Sequence, residues 1–498
     1  MRISGKRRRR PKTTIRRQPG RPGKVHGMWG PVGLVRGRIP RRFCLLGMLA
    51  LMLSSRSGAA TTYATWIMVW YGRDQAWWKP ENPDATRNLV NGRWKTLDWT
   101  DNSQIGAHLD GIKKAGVNVV IADLTNGWNW LDARCRFIQS LCAGKGLKFC
   151  VAENSLGNTA SFESHAQDIW KNFAGPDAPY HKTYFHYRGK PLIVCYAIRD
   201  WYRAYARSRS PFRSRFSLVW ASGEDSNIDK WGWQLEPWVG SVPSEDSMFV
   251  TSAVRWNPAD PVMWRKSLAW LDYNFALAKK NHPAYVIVGS YDDPTERNGW
   301  LISDTSHCEP GRQMRDRTGA LSPSAHYDRV RQWISGKPAV EPGGLLRDGA
   351  YRIVNRSSGR HLGIANAGKP GEGAPGAVLA GSASGKAPRG LFWLYHLGGD
   401  HYRIIALHSG LALETSDTSG ADGLQVVQNW ESSDSRQRWT LTHTPDGYFR
   451  LANDSVGKAL ALEDGAEPGD AVALRSRDRS RNQQWRFQPV AVIVNSLA

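Results

Sequence analysis

The chain is poor in the residues that build metal and redox centres. It holds six cysteines in 498 residues, with no Cys-x-x-Cys pair and no Cys/His cluster, so no metal, cofactor or thiol–disulfide motif is expected. Cys135 and Cys142 stand seven residues apart in a stretch of helical period, roughly 10 Å along a helix, too far for a disulfide. Cys150 and Cys195 fall in apolar runs and read as small core residues. No Gly-x-Gly-x-x-Gly follows the first such run, which removes the main mark of a dinucleotide-binding sheet. No apolar run reaches the ~20 residues that a bilayer span needs. Acidic residues are missing too, but only locally. Residues 1–60 carry 16 Lys or Arg and no Asp or Glu, which leaves +7 of the formal +23 for everything after them. Basic charge confined to a leader does not make a phosphate-binding groove, so no nucleic-acid partner is expected.

That leader reads as a signal peptide. Arg41 and Arg42 precede an apolar run from Phe43 to Leu53, and the small residues Ser57 to Ala60 follow as a cleavage site. Export to the periplasm or medium is expected, with a mature start near Thr61 and no transmembrane segment left after cleavage. An Arg-rich organelle transit peptide is the alternative, and the long basic stretch also allows translation to begin at Met28.

From residue 61 to 335, short apolar runs alternate with stretches of helical period. The runs include TWIMVW (65–70), VNVVIAD (117–123), KFCVAE (148–153), PLIVCYA (191–197) and AYVIVGS (284–290). Continuous apolarity is what strands buried on both faces of a parallel sheet require. Seven or eight such units suit a closed (β/α)8 TIM-like barrel, with an open doubly wound sheet as the alternative. The stretch SGKPAVEPGG (335–344) then reads as a short, semi-stiff linker over 336–344.

Residues 345–490 repeat themselves three times. YRIVNRSSGRHL (351–362), YRIIALHSGLAL (402–413) and FRLANDSVGKAL (449–460) share one pattern, and Trp393, Trp439 and Trp485 close the three units. Units of this kind cannot bury an apolar face alone, so the three must share one core. With Gln437-x-Trp439 and Gln483-x-Trp485, the region resembles the ricin B-type β-trefoil lectins, an all-β fold. The resemblance implies a carbohydrate-binding role. Members use an acid after the Ser-Gly step and a later aromatic, because a carboxylate accepts sugar hydroxyls while a ring covers a C–H face. The first repeat has Gly363 at the acid position and the third has Ala461. Only the middle one keeps an acid, Glu414, together with Gln428, Trp430 and Gln437, although Arg436 replaces the usual Asn. One sugar site is therefore expected, in the middle lobe.

In the first half, carboxylates recur where the strands end: Asp123, Glu153, Asp200, Glu224 and Asp293 with Glu296. Barrel enzymes carry their chemistry there, and glycosidic cleavage uses one carboxyl as proton donor and a second as base or nucleophile. The segment SYDDPTERNGW (290–300) and the opening VWYGRD (69–74) resemble the barrels of the family 99 endo-α-mannosidases and family 71 α-1,3-glucanases, or an uncharacterised neighbour of these. The resemblance places Asp293 and Glu296 at the two catalytic positions, with Asp292 where an Asn is usual. Asp74, Asp123, Glu153, Asp200 and Glu224 are expected to bind substrate, with Trp77 and Trp128 as sugar-stacking rings. The expected protein is a monomeric, secreted glycoside hydrolase acting on polysaccharide or glycan chains. The alternative is a non-catalytic carbohydrate-binding protein with a degenerate barrel.

Overall fold

The computed structural model describes residues 60–73, 87–126, 132–155, 157–221, 231, 246–251, 265, 267–293, 299–336, 343–365, 374–382, 390–462, 469–470 and 472–493. The leader lies outside them, as do most of the linker and the candidates Asp74, Trp77, Trp128, Glu224 and Glu296.

Seven apolar runs form parallel strands: β1 (Thr62–Ile67), β2 (Val119–Asp123), β3 (Lys148–Asn154), β4 (Lys190–Tyr196), β5 (Ser217–Ala221), β6 (Ser247–Val250) and β7 (Tyr285–Ser290). Helices α1 (Asn102–Lys114), α2 (Asp132–Lys145), α3 (Thr159–Ile169), α4 (Arg199–Tyr205), α5 (Pro211–Arg215), α6 (Leu268–Asn281) and α7 (Ala325–Ile334) alternate with them. The neighbours run β5-β4-β3-β2-β1-β7-β6. This order is sequential apart from one break, since no ladder joins β5 to β6 among the described residues. The described sheet is therefore a half-barrel rather than the complete (β/α)8 barrel expected from the sequence, and it has neither the strand order nor the switch point of a doubly wound sheet.

Among the described residues the C-terminal region contains twelve strands. They are β8 (Gly349–Asn355), β9 (His361–Ile364), β10 (Leu379–Ser382), β11 (Phe392–Gly398), β12 (His401–Ala406), β13 (Leu411–Thr415), β14 (Leu424–Asn429), β15 (Trp439–His443), β16 (Phe449–Asn453), β17 (Ala459–Ala461), β18 (Ala473–Arg475) and β19 (Trp485–Ile493). Their pairings follow the threefold repeat. Strands β8, β11, β12, β15, β16 and β19 each pair with the next, and β19 pairs back to β8, closing a six-stranded barrel. The hairpins β9–β10, β13–β14 and β17–β18 complete the three lobes. Each lobe turns at the glycine that the repeats share: Gly359, Gly410 and Gly457 have φ of 65°, 74° and 68°, a left-handed conformation that a Cβ disfavours. Trp393, Trp439 and Trp485 are fully buried. The Trp439 and Trp485 indoles donate to the carbonyls of Leu413 and Leu460, so the two Gln-x-Trp lobes repeat one bond. Trp393 makes no such bond, in the repeat that lacks the motif.

The two halves are not independent beads on a tether. From Ala59 onward the chain is one compact unit, and Trp393, Tyr395, Ile405 and Leu407 join the same apolar cluster as the parallel sheet. At the junction, Asp272 of α6 accepts bonds from Arg329 and Trp333 of α7 and from Tyr395 of β11, at 2.5–2.8 Å. Arg329 is held charged: burial alone would favour the neutral form, and Asp272 outweighs it. The two halves therefore share part of one core.

Candidate functional site

Register decides which strand-end acids share a face. In-register residues of parallel neighbours point the same way, and the direction alternates along each strand. Trp66 pairs with Ile121 and with Ser290, and Asp123 pairs with Ala152. Trp66, Asp123 and Ser290 therefore lie on one face at the C-terminal edge. Glu153, one residue beyond Ala152, faces the other way. There its Oε2 meets His165 Nδ1 of α3 at 3.2 Å, while Oε1 is buried without a well-formed hydrogen bond. Burial pushes the Glu153 carboxyl up, and His165 offsets part of the shift. Glu153 thus sits between sheet and helix, away from the expected substrate-binding face. Asp200 is exposed in the first turn of α4, and no hydrogen bond or ion pair joins it to the buried acids among the described residues.

The face of Asp123 carries a different pair from the one the sequence suggested. Asp123 accepts bonds from Trp70 Nε1 and Thr125 N, both at 2.8 Å; burial raises its pKa despite these donors. Asp292, two residues past Ser290, is wholly buried and accepts from Met68 N at 2.9 Å and from Trp99 Nε1. Burial lifts its carboxyl to about 7, and the nearby Asp123 adds to the rise. Asp293 is also buried, at 1% exposure. Two carboxyl groups, Asp123 and Asp292, thus meet where β2 and β7 flank the end of β1. Beneath them His108 lies against the rings of Trp99 and Tyr291, and burial lowers its pKa to about 4, so it stays neutral. Sequence reading missed Asp292, Trp70 and Trp99 as site residues. Alternation from Ser290 was the available signal for Asp292.

Asp292 leads to a pH prediction. Its carboxyl titrates near 3.9 when unfolded and about 7 when folded, so the native state keeps a proton that the unfolded state releases. The stability it lends is full below about pH 4 and lost as pH rises through about 7. Met68 N and Trp99 Nε1 donate to different oxygens of Asp292, so Asn keeps one of the two bonds and loses the other at every pH, but it no longer titrates. Asp292→Asn should therefore flatten the decline between pH 4.5 and 7.5, by a slope of at most about 1.4 kcal/mol per pH unit. Urea titrations across that range check this; parallel declines in variant and wild type would contradict it.

In the middle lobe, the expected sugar ligands are engaged by the protein itself. Glu414 is 3% exposed; it accepts from Asn429 Nδ2 at 2.7 Å and from Gln437 Nε2 at 2.8 Å. Arg436 approaches it at 3.8 Å. Gln437 also donates to the Trp430 carbonyl and accepts from Arg403 and Ser432. Gln428 is fully buried between Ser409 and the Ala374 carbonyl. These three brace the lobe. Trp430 is half-buried on Leu411 and faces a cleft bounded by the parallel-sheet half.

The twelve-stranded region is a ricin B-type β-trefoil lectin-like domain. The ricin-type beta-trefoil lectin domain-like family matches residues 391–475. Among solved structures, the chain is similar to ThreeFoil, a designed 3-fold symmetric protein, at 33% identity over 29% of this chain and 100% of that one (TM-score 0.27). It is also similar to an exo-beta-1,3-galactanase from Clostridium thermocellum, at 24% identity over 31% of this chain and 32% of that one (TM-score 0.27). A ricin B-like lectin of Macrolepiota procera, in complex with lactose, is 17% identical over 29% of this chain and 99% of the lectin (TM-score 0.25). No curated protein matches.

Proposed function

We propose that the protein is a secreted glycoside hydrolase, cleaving polysaccharide or glycan chains at the strand-end acids and held on carbohydrate by its trefoil domain. The observation that carries this reading is the burial of Asp123 and Asp292 together at the C-terminal edge of a parallel sheet, braced by the indoles of Trp70 and Trp99. Burial raises both the Asp123 and the Asp292 carboxyl, the kind of environment in which a carboxylic acid keeps a proton for general acid chemistry. The sequential strand order supports a barrel architecture, and Asp74, Trp77, Trp128, Glu224 and Glu296, which lie outside the described residues, are carried as substrate-binding or catalytic candidates from the sequence. Glu296 is assigned as proton donor and Asp293 as base or nucleophile, with Asp123 and Asp292 setting their electrostatics. The test is sugar release from a polysaccharide panel by wild type and by Glu296→Gln.

The apolar run and small-residue site support export. The exported chain should begin near Thr61 when its mass is measured; a mature chain that still carries Arg41 and Arg42 would overturn the assignment.

A further inference from the structure

The segment that closes the third lobe is crowded with charge of one sign. Residues 475–486 carry five arginines and one acid, Asp478, and Asp478 turns back to accept from Ser480 N of its own loop at 2.8 Å. Arg477, Arg479, Arg481 and Arg486 are exposed. The side chains of Arg479 and Arg481 make no hydrogen bond or ion pair among the described residues, and Arg477 reaches the Gly457 carbonyl rather than an acid. Strand order adds a sixth cation. β19 lies between β8 and β16, with Val354 opposite Arg486 and Phe449 opposite Trp485. This brings Arg356, just past β8, and Arg486 to the ring of Tyr448, just before β16. Their guanidinium carbons stand 4.5 and 4.7 Å from its centroid. Arg486 also donates to the Tyr448 hydroxyl at 2.7 Å, and Arg356 pairs with Asp446. Gln484 ties the two groups together: it accepts from Arg356 N and Nη1, and its own N and Nε2 donate to the carbonyls of Arg481 and Arg479. Like charges gathered on one surface repel one another and weaken the compact state. Here backbone bonds and an aromatic ring hold them in place, which points to a ligand of opposite charge.

We infer that this arginine cluster binds an anionic polysaccharide, one that carries carboxylate or sulfate groups along its chain. A guanidinium fork bonds a carboxylate or another oxyanion through two parallel N–H donors. The Tyr448 ring is taken up by guanidinium contacts, so it spaces the cations rather than covering a sugar C–H face. The cations run along residues 475–486 and on to the turn at Arg356, further than one small anion reaches, so a polymer with repeated charges fits them. The choice of a glycan among polyanions rests on the carbohydrate-binding reading of the trefoil. The cluster lies where the third lobe meets the first and shares no residue with the middle lobe.

The experiment measures binding of the mature protein, free of the basic leader, to polygalacturonate, dextran sulfate and polyuridylate by calorimetry at rising salt. At least one of the two anionic polysaccharides should bind, and its affinity should fall steeply between about 50 and about 200 mM salt. Arg479→Ala together with Arg481→Ala should weaken it by about tenfold or more, and Arg486→Ala several-fold. Arg479→Lys with Arg481→Lys should recover part of the loss, since the charge stays and the fork goes. Both positions are exposed, so melting temperatures should match wild type. A control pair, Arg207→Ala with Arg209→Ala, lies in another arginine-rich stretch and should bind like wild type. If the Arg479 and Arg481 pair binds like wild type, or the control loses as much, the cluster is not the site. Polyuridylate bound as tightly as the better polysaccharide, or more tightly, overturns the glycan class. If neither anionic polysaccharide binds while the protein is retained on insoluble galactan, the cluster assignment fails and the carbohydrate reading stands. Retention on none of them ends both.

Discussion

Replacing Glu296 by Gln should cut hydrolysis at least 100-fold while leaving the fold unchanged. The substitution preserves side-chain size and removes only the ability to give up a proton, and general acid catalysis contributes typically 10²–10⁴-fold. The buried acids next to the site make this effect specific. Asp292, four residues earlier, holds its own proton up to about pH 7, and its two bonds lock it to Met68 and Trp99, so it has no freedom to replace Glu296 in protonating a leaving group. Near-normal turnover by the variant would move catalysis to another acid, with Glu224 the next to change.

The largest expected effect on stability lies far from that site. Asp272→Ala should destabilise the whole protein by about 3–5 kcal/mol, because it leaves the buried Arg329 guanidinium without its counter-charge. It also strips the bonds from Trp333 and Tyr395. Since Tyr395 belongs to β11 and Arg329 to α7, both halves should lose stability together in one calorimetric transition. An unchanged transition for the trefoil would restore the picture of two tethered modules.

Much of this molecule was legible in local sequence patterns. Continuous apolar runs marked the seven parallel strands, because strands buried on both faces have no polar side. The threefold recurrence of a glycine turn and a closing tryptophan marked the trefoil, because each lobe solves the same packing problem. The junction was not legible: Asp272 and Tyr395 are 123 residues apart, and no periodicity encodes their meeting. Pro and Gly at 335–344 mark a short, semi-stiff linker but say nothing of whether the halves it joins share a core.

The site was legible in part. Asp123 and Glu153 do fall at the ends of their strands, but facing depends on register, which placed Glu153 against α3 and brought Asp292 beside Asp123. In the trefoil, Glu414 had the position of a sugar ligand, yet Asn429 and Gln437, one residue after Arg436, occupy its two oxygens. A sequence pattern records which groups are present, not which neighbours have already claimed them.

The most direct measurement is reducing-sugar release from xylan, mannan, galactan and α-glucan by the mature wild-type protein. A glycoside hydrolase should liberate product from at least one of them, and the Glu296→Gln variant should abolish it without loss of retention on the insoluble form. Retention without any release, by wild type and variant alike, would contradict the assignment and leave a non-catalytic carbohydrate-binding protein.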